Sequence, residues 1–321
     1  MPVFNGAEFM HASLPPLSDM LERGEIIELL VVNDGSTDNS VEIAESFGAR
    51  VLHTGGRMGV GHARNIAAAA ARGKILWYVD ADVVAHDDVA IKLREAFTDP
   101  TLTAVIGSYD DRPPAQNFLS QYKNLVHHYY HHRGSKEAST FWGGCGAVRK
   151  REFMAINGFD TQRFRLPSVE DIEFGYRLCD AGGRIQLLPD IQATHLKVWR
   201  FADLIRTEML RRAIPWATLM LERGEITDDL NVATGERLRA LLAGVLMLTF
   251  LGALVGLAPW WLVGSIVLVA GAVNAELFRL FMRRRGLLFA LGGLLTHQFY
   301  YLYSGISFVW AYLRFHLSPS R

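Results

Sequence analysis

The chain has 321 residues, enough for one full α/β domain and a further region beyond it. Its 33 basic and 33 acidic residues cancel, which excludes the basic footprint of a nucleic-acid-binding protein. Two cysteines, Cys145 and Cys179, exclude a disulfide framework or zinc-knuckle spacing and are compatible with a reducing compartment. Half the residues are apolar, but they crowd into the last third, where long apolar runs begin.

In chain order, Ile26 to Val32 is an apolar run that stops at Asn33-Asp34-Gly35-Ser36, the pattern of a buried parallel strand and its turn. Val41 to Phe47 has helical spacing, and Arg50 to Leu52 reads as a brief strand. His62 to Arg72 is an alanine-rich helix closed by Gly73. Ile75 to Val79 is a second buried strand running straight into Asp80-Ala81-Asp82. Val89 to Phe97 predicts a helix and Leu102 to Tyr109 a strand. This alternation predicts an α/β domain built on a mainly parallel sheet flanked by helices. Beyond Asp110 the expected elements are a helix at Tyr122 to His132, a glycine-rich strand or loop at Thr140 to Ala147, and a short helix at Lys150 to Ile156. A helix at Glu170 to Asp180 and a short strand at Ile185 to Leu188 follow.

From Trp199 to Leu221 large apolar residues alternate with arginines, and Pro215 breaks or kinks the run. That pattern predicts an amphipathic helix in a membrane interface. Leu238 to Ala258 is long enough to cross a bilayer. Trp260 to Ala275 follows as a second apolar stretch, and Leu287 to Leu313 as a third, less regular one. The expected organisation is a catalytic domain at 1–197, an interface helix and linker at 198–236, and two or three transmembrane helices at 237–321. Arg237, Arg239 and Arg283-Arg284-Arg285 put the N-terminal domain on the cytoplasmic side of a bacterial inner or plasma membrane, in a multi-pass topology. Arg314 and Arg321 run against that orientation if the third span crosses.

Alternate residues of an extended segment point the same way, so Asp80 and Asp82 meet at a strand's C-terminal end, where open α/β sheets bind ligands. Hard divalent cations take one or two such carboxylates together with phosphate oxygens. Asp34 ends an earlier strand and is placed to accept a hydrogen bond from a base or ribose, whereas Asp38 reads as a helix cap. Glu170-Asp171 opens a helix, where the dipole favours carboxylates. Both fit capping, and Asp171 also fits a general base for an acceptor hydroxyl. His127, His128, His131 and His132 lie at helical spacing and read as a helix face near the acceptor cleft. Cys145 reads as a packing residue.

These blocks, in this order, resemble family 2 glycosyltransferases of the GT-A, nucleotide-diphospho-sugar transferase fold. They are Pro2 to Asn5, Asn33 to Asp38, Gly59 to Asn65, Asp80 to Asp82, Gly143 to Gly146, Glu170-Asp171 and His195, covering roughly the first 200 residues. The resemblance implies an inverting, metal-dependent transfer from a UDP- or GDP-sugar to a lipid-linked or membrane-proximal glycan acceptor, with membrane lipid as a further partner. It implies that Asp34 holds the nucleobase beside Pro2 and Phe4, and that Arg64 lies near the ribose or diphosphate. Asp80 would contact ribose or metal, Asp82 and His195 would ligate Mn2+ or Mg2+, and Trp142, Gly143 and Gly144 would line the acceptor side. Asp171, with Glu170, would supply the base. A strand normally precedes Pro-x-Phe-Asn in that family, so the native start is expected upstream of Met1. The Gln-x-x-Arg-Trp motif of processive members has no match, since Arg211-Arg212-Ala213-Ile214-Pro215-Trp216 stands nearest; non-processive transfer is expected. A non-catalytic membrane scaffold and a nucleotidyltransferase are the alternatives.

Overall fold

The computed structural model describes residues 1–317. Arg321, one of the charges counted against the expected orientation, lies outside the described residues. The chain divides into two compact units, Met1–Val198 and Trp199–Arg321. The segment 198–236, expected as an interface helix and linker, falls almost entirely in the second.

Unit 1 carries two sheets. The smaller joins β1 (Pro2–Val3), β2 (Leu30–Asn33) and β3 (Arg50–His53) in parallel, in the order β1-β2-β3. Pro2 and Val3 therefore form a short strand themselves, in register with Val32 and Asn33. Three helices serve this sheet: α1 (Ala7–Glu22), α2 (Ser40–Ser46) and α3 (Val60–Ala70). Met10, Leu14, Leu17 and Met20 recur along α1 at three- and four-residue intervals and are all buried in the core with Val3 and Val31. The crossovers are long enough for helices, which is why these strands run parallel.

The larger sheet departs from the expected parallel arrangement. Its order is β4 (Ile75–Val79), β8 (Cys145–Arg149), β6 (Ala104–Tyr109), β9 (Ile185–His195) and β5 (Val83–Ala85), with β7 (Glu137–Ala138) also paired to β9. Only β6 and β9 pair in parallel; the other four pairings are antiparallel. Asp80-Ala81-Asp82 joins β4 to β5, which do not pair with each other but lie at the two ends of this order. β9 runs seven residues past the expected end at Leu188, which carries its last residue, His195, alongside Val83. The remaining helices are α4 (Val89–Ala96), α5 (Phe118–Arg133), α6 (Lys150–Ala155) and α7 (Glu170–Asp180).

Unit 2 is helical. α8 (Phe201–Arg206) passes into a π-helical turn (Thr207–Ala213) and then α9 (Ile214–Arg223), so the expected break at Pro215 becomes a widened turn. Pro215 has no N–H to give, and the wider turn just ahead of it absorbs the mismatch while the chain stays helical. A 3-10 turn (Leu230–Val232) leads to α10 (Thr234–Leu254), α11 (Trp260–Val273), α12 (Ala275–Arg285) and α13 (Leu287–Leu317). Among the described residues, α10 alone is long and apolar enough to cross a membrane as one helix. Its 21 residues span about 31 Å, matching the hydrocarbon thickness.

The other two expected spans differ from their sequence pattern. α11 and α12 meet at Asn274 with a bend of 72°, the geometry of a broken span or a re-entrant segment. Asn274 makes the break: its side chain donates to the Ala270 carbonyl at 2.8 Å, satisfying a helix end. α13 is one regular helix of 31 residues, not the irregular stretch expected. It buries His297, Tyr300, Tyr301 and Tyr303 inside the unit and, though long enough, is not apolar enough to count as a span.

Candidate active site

Two strand ends and one helix start converge in unit 1. The first is the turn between β4 and β5. Asp80 donates its backbone N–H to the Gly144 carbonyl at 3.4 Å, and the Asp82 carbonyl accepts from Leu196 at 2.9 Å. Ser13 of α1 donates to the Ala81 carbonyl at 2.8 Å, bracing the turn from behind. His195 enters from the end of β9, its Nε2 3.5 Å from Asp82 Oδ2 and its ring stacked on Tyr109 at 4.4 Å.

The second contribution is α7, which begins with Glu170 and Asp171. Arg64 of α3, only 3% exposed, connects it to the first. Its Nη2 donates to Asp80 Oδ1 at 2.8 Å and its Nη1 to Glu170 Oε1 at 3.1 Å. The other Glu170 oxygen accepts from Ser168 N–H at 2.8 Å. Asp171 Oδ2 accepts from the Gly143 N–H at 3.1 Å, while Oδ1 accepts from Ile172 at 2.9 Å. Gly143 lies so close to the Arg64 guanidinium that an added Cβ would sit 2.5 Å from its Cζ. Asp80, Arg64, Gly143, Glu170 and Asp171 thus form one connected site.

The charges shift accordingly. Burial pushes Asp80 above the usual carboxylate range; Arg64 opposes this, and the charges of Asp82 and Asp171 add to it. Glu170 is raised by burial and by Asp171 beside it. Arg64 is held protonated against its own burial by Asp80, Glu170 and Asp171. Asp82 behaves oppositely: against the cost of its partial burial, it is lowered by its hydrogen bond to His195 and by the charges of His195 and Lys197. One carboxylate of the pair is therefore bound to arginine, and the other stays ionised beside an imidazole. Among the described residues no group of three His, Cys, Asp or Glu gathers as a metal cage. Asp82 and His195 offer two donors, and that set fits a hard cation that draws its remaining ligands from phosphate and water.

Several positions differ from the sequence reading. Glu170 is buried, and its two oxygens accept from Arg64 and Ser168, so it holds the Arg64 guanidinium. Asp34 is buried, with its oxygens filled by Thr54 (2.9 Å), the Met58 N–H (2.8 Å) and the Gly59 N–H (2.9 Å). It therefore holds the 54–59 loop. Gly59 has φ +98°, and a Cβ there would lie 2.3 Å from the Arg165 carbonyl oxygen, so only glycine serves at this turn. The loop carries Arg57, whose guanidinium lies 4.1 Å above the half-exposed Phe4 ring. The sequence reading missed Arg57; the signal was its place after Gly55-Gly56 at the end of a parallel strand. Pro2 lies in β1, two residues before that ring.

Trp142 packs edge-on against Tyr109 at 4.7 Å and beside His127 at 4.8 Å. A Cβ on Gly144 would strike its indole nitrogen at 2.8 Å, so the glycines of 143–146 admit internal neighbours before any acceptor. Asp38 Oδ1 accepts from Ser40 N–H, the first residue of α2, at 3.2 Å, as expected of a cap, and the side chain serves a second helix as well. Its Oδ2 accepts from Ala7 N–H, the first residue of α1, at 3.0 Å, while Ser40 Oγ accepts from Gly6 at 3.0 Å. Of the histidines, His128 and His131 bind the backbone carbonyls of Tyr109 and Gly107 on β6 at 2.8 and 2.7 Å. Burial lowers His131 to about 4, so it stays neutral as a packed donor. Burial also pushes the Cys145 thiol up to about 12, which leaves it inert.

Unit 1 is thus an α/β domain whose strand ends present an Asp-x-Asp turn, a histidine and a helix-opening Glu-Asp. Residues 1–156 match the family model described as glycosyl transferase family 2, and residues 123–198 match the one described as N-terminal domain of galactosyltransferase. Within unit 1, residues 1–156 are thus similar to family 2 glycosyltransferases, over just under half of the chain. Glycosyltransferase GlyG of Streptococcus pneumoniae serotype 4 is 28% identical over 114 residues, which cover 34% of this chain and 37% of that protein. Uncharacterized glycosyltransferase YibD of Escherichia coli K12 is 34% identical over 87 residues, covering 26% of this chain and 24% of its own. The matched stretches thus span little more than a third of the one relative and a quarter of the other. The mannosyltransferase PcManGT from Pyrobaculum calidifontis, solved in complex with GDP-Man and Mn2+, superposes with a TM-score of 0.50 at 17% identity. That match covers 96% of this chain and 85% of the mannosyltransferase, and it shows a shared fold.

Proposed function

We propose that this protein moves one sugar from a nucleotide-diphosphate donor to an acceptor at a membrane surface, with inversion at the anomeric carbon. The observation that carries the reading is the Arg64 bridge, which holds Asp80 against Glu170 and so sets Asp171 beside the Asp80–Asp82 turn. Phe4 and Arg57 form the flat, cationic wall that suits a nucleobase and its phosphates. The nucleotide sugar named for the fold relative, GDP-Man with Mn2+, makes a sugar nucleotide and a divalent cation the first ligands to try.

Asp82 and His195 would hold the cation, which when bound neutralises charge building on the departing diphosphate. Asp171 accepts the proton of the acceptor hydroxyl. The hydroxyl oxygen forms a bond to the anomeric carbon as the bond from that carbon to the diphosphate oxygen breaks. The nucleoside diphosphate leaves with the electron pair. Attack opposite the leaving group inverts the centre. Asp171 keeps its aim because Gly143 N–H binds one of its oxygens and Ile172 N–H the other. Glu170 positions Arg64, and Arg64 steadies Asp80.

Unit 2 supports attachment to a membrane through α10, whose Leu241 and Leu248 are 66% and 72% exposed. Arg237 and Arg239 at the start of α10 favour placing that end on the cytoplasmic side.

The test is turnover by the detergent-solubilised full chain given UDP- and GDP-sugars with Mn2+ or Mg2+. Release of nucleoside diphosphate with a product of inverted configuration is expected. Asp171→Asn should lower kcat by about 10²–10⁴-fold with little change in melting temperature. Release of pyrophosphate, or full activity in the Asn variant, would sink the reading.

A further inference from the structure

α12 has two faces. Leu277 and Phe281 are buried, and Phe281 packs so tightly that a Cβ on Gly293 of α13 would lie 2.6 Å from its ring. The other face opens on a cavity of about 490 Å³ lined by Glu276, Arg279, Leu280, Arg283 and Arg284. Three arginines against one glutamate leave the cavity strongly positive. Arg279 and Arg283 make no ion pair with any described residue, and they stand one helical turn apart. Arginines that outnumber the one carboxylate on the wall of a cavity, and make no ion pair with it, can receive an anion there, and phosphate oxygens match their fork.

The surroundings select the source of that anion. Leu280 supplies an apolar wall inside the cavity. The chain then turns at Gly286 into Leu287 and Leu288, which are 53% and 87% exposed. α12 also follows the bent α11, whose Trp260 and Trp261 are exposed in the manner of interfacial anchors. A free phosphate has no use for the leucines; a headgroup with acyl chains uses both features.

We propose that the α12 cavity is a binding site for the phosphodiester headgroup of an anionic membrane glycerophospholipid, gripped by Arg279 and Arg283. The site belongs to unit 2 and uses none of the residues of the transfer chemistry; it rests only on the membrane attachment proposed for unit 2. Retention of the full chain in carbonate-washed membranes tests that attachment separately.

The closing experiment titrates the detergent-solubilised full chain against fluorescent short-chain phosphatidylglycerol and reads anisotropy. Unlabelled short-chain phosphatidylglycerol, phosphatidylcholine and inorganic phosphate serve as competitors. Displacement by phosphatidylglycerol at concentrations at least tenfold below either of the others is expected. At about 1 kcal/mol for each arginine, R279Q/R283Q should weaken binding roughly thirtyfold. R279K/R283K, which keeps the charge and loses the fork, should fall between. The melting temperature of each variant reports that it is folded; if R279Q/R283Q does not fold, the competition series and the lysine variant decide. Equal displacement by phosphatidylcholine, displacement by inorganic phosphate as efficient as by the lipid, or undiminished binding in the folded glutamine variant would each overturn the proposal.

Discussion

Both units bury charge, and they use it differently. In unit 1, Arg64 is buried between Asp80 and Glu170, and the network opens onto carboxylates that stay partly exposed, Asp82 and Asp171. In unit 2, Glu236 is buried between Arg239 and the Tyr301 hydroxyl, and the network closes on Asn274. The first arrangement leaves acids at the edge of a pocket, where they can meet a substrate. The second ties the start of α10, the break between α11 and α12, and the middle of α13 to one another. A buried ion pair is weak evidence of function in itself; what lies next to it decides whether it serves chemistry or architecture.

This contrast breaks if the two networks respond alike. The largest effect is expected at Arg64. Arg64→Met leaves Glu170 and Asp80 without their counter-charge, so it should cost about 3–5 kcal/mol of stability, read by chemical denaturation. Arg64→Lys should restore much of the stability but little of the turnover, because one ammonium cannot span both carboxylates as the fork does. Equal recovery of both would mean that Arg64 only supports the fold. Next is Tyr301→Phe, which removes the hydroxyl shared by Glu236 Oε2 at 2.8 Å and Asn274 Oδ1 at 3.0 Å. A loss of about 1–3 kcal/mol is expected with the kcat of the full chain unchanged. A fall in kcat at saturating donor would show that the closed network reaches the chemistry.

The smallest effect sharpens the comparison by pH. His86 Nε2 lies 3.1 Å from Asp110 Oδ2 on unit 1. Its hydrogen bond to Asp110 raises His86 above its ordinary 6.5, while Asp110 is lowered, against its burial, by His86 and Thr194. The histidine's contribution is complete below pH 6.5 and is lost as pH rises through its raised value. The aspartate's is complete above pH 3.8 and is lost as pH falls through its depressed value. The pair thus stabilises most between those limits. His86 is 38% exposed, so solvent holds the effect below about 1 kcal/mol. Melting temperature should fall relative to His86→Gln as pH climbs above 6.5 through the raised value of His86; parallel curves would deny the coupling.

Much of unit 1 was legible because its signals are local. An apolar run ending in Asp80-Ala81-Asp82 can only be a strand delivering carboxylates to its end, and Glu170-Asp171 opens α7 at the residue expected. Helix periodicity located α3 and α7 within two residues at either end. Strand direction in the larger sheet was illegible, since the period of a strand is the same whichever way its neighbour runs. So was the partner of each carboxylate. Arg64 and Glu170 stand 106 residues apart, and nothing in either neighbourhood announces the other. In unit 2, apolarity revealed helices but not the 72° bend, because Asn274 breaks the run only through its bonds to Ala270 and Tyr301.

The sequence by itself therefore determined which residues could carry charge at a strand end or helix start, because such positions follow from local periodicity and turn chemistry. Only the tertiary structure decided which of them are free to act. Asp34 and Glu170 are buried with their oxygens filled, whereas Asp82 and Asp171 stay partly exposed at the site, although Asp171 too accepts from two backbone N–H groups. Hydrogen-bond satisfaction is a property of what the fold brings within 3 Å, and no spacing along the chain records it.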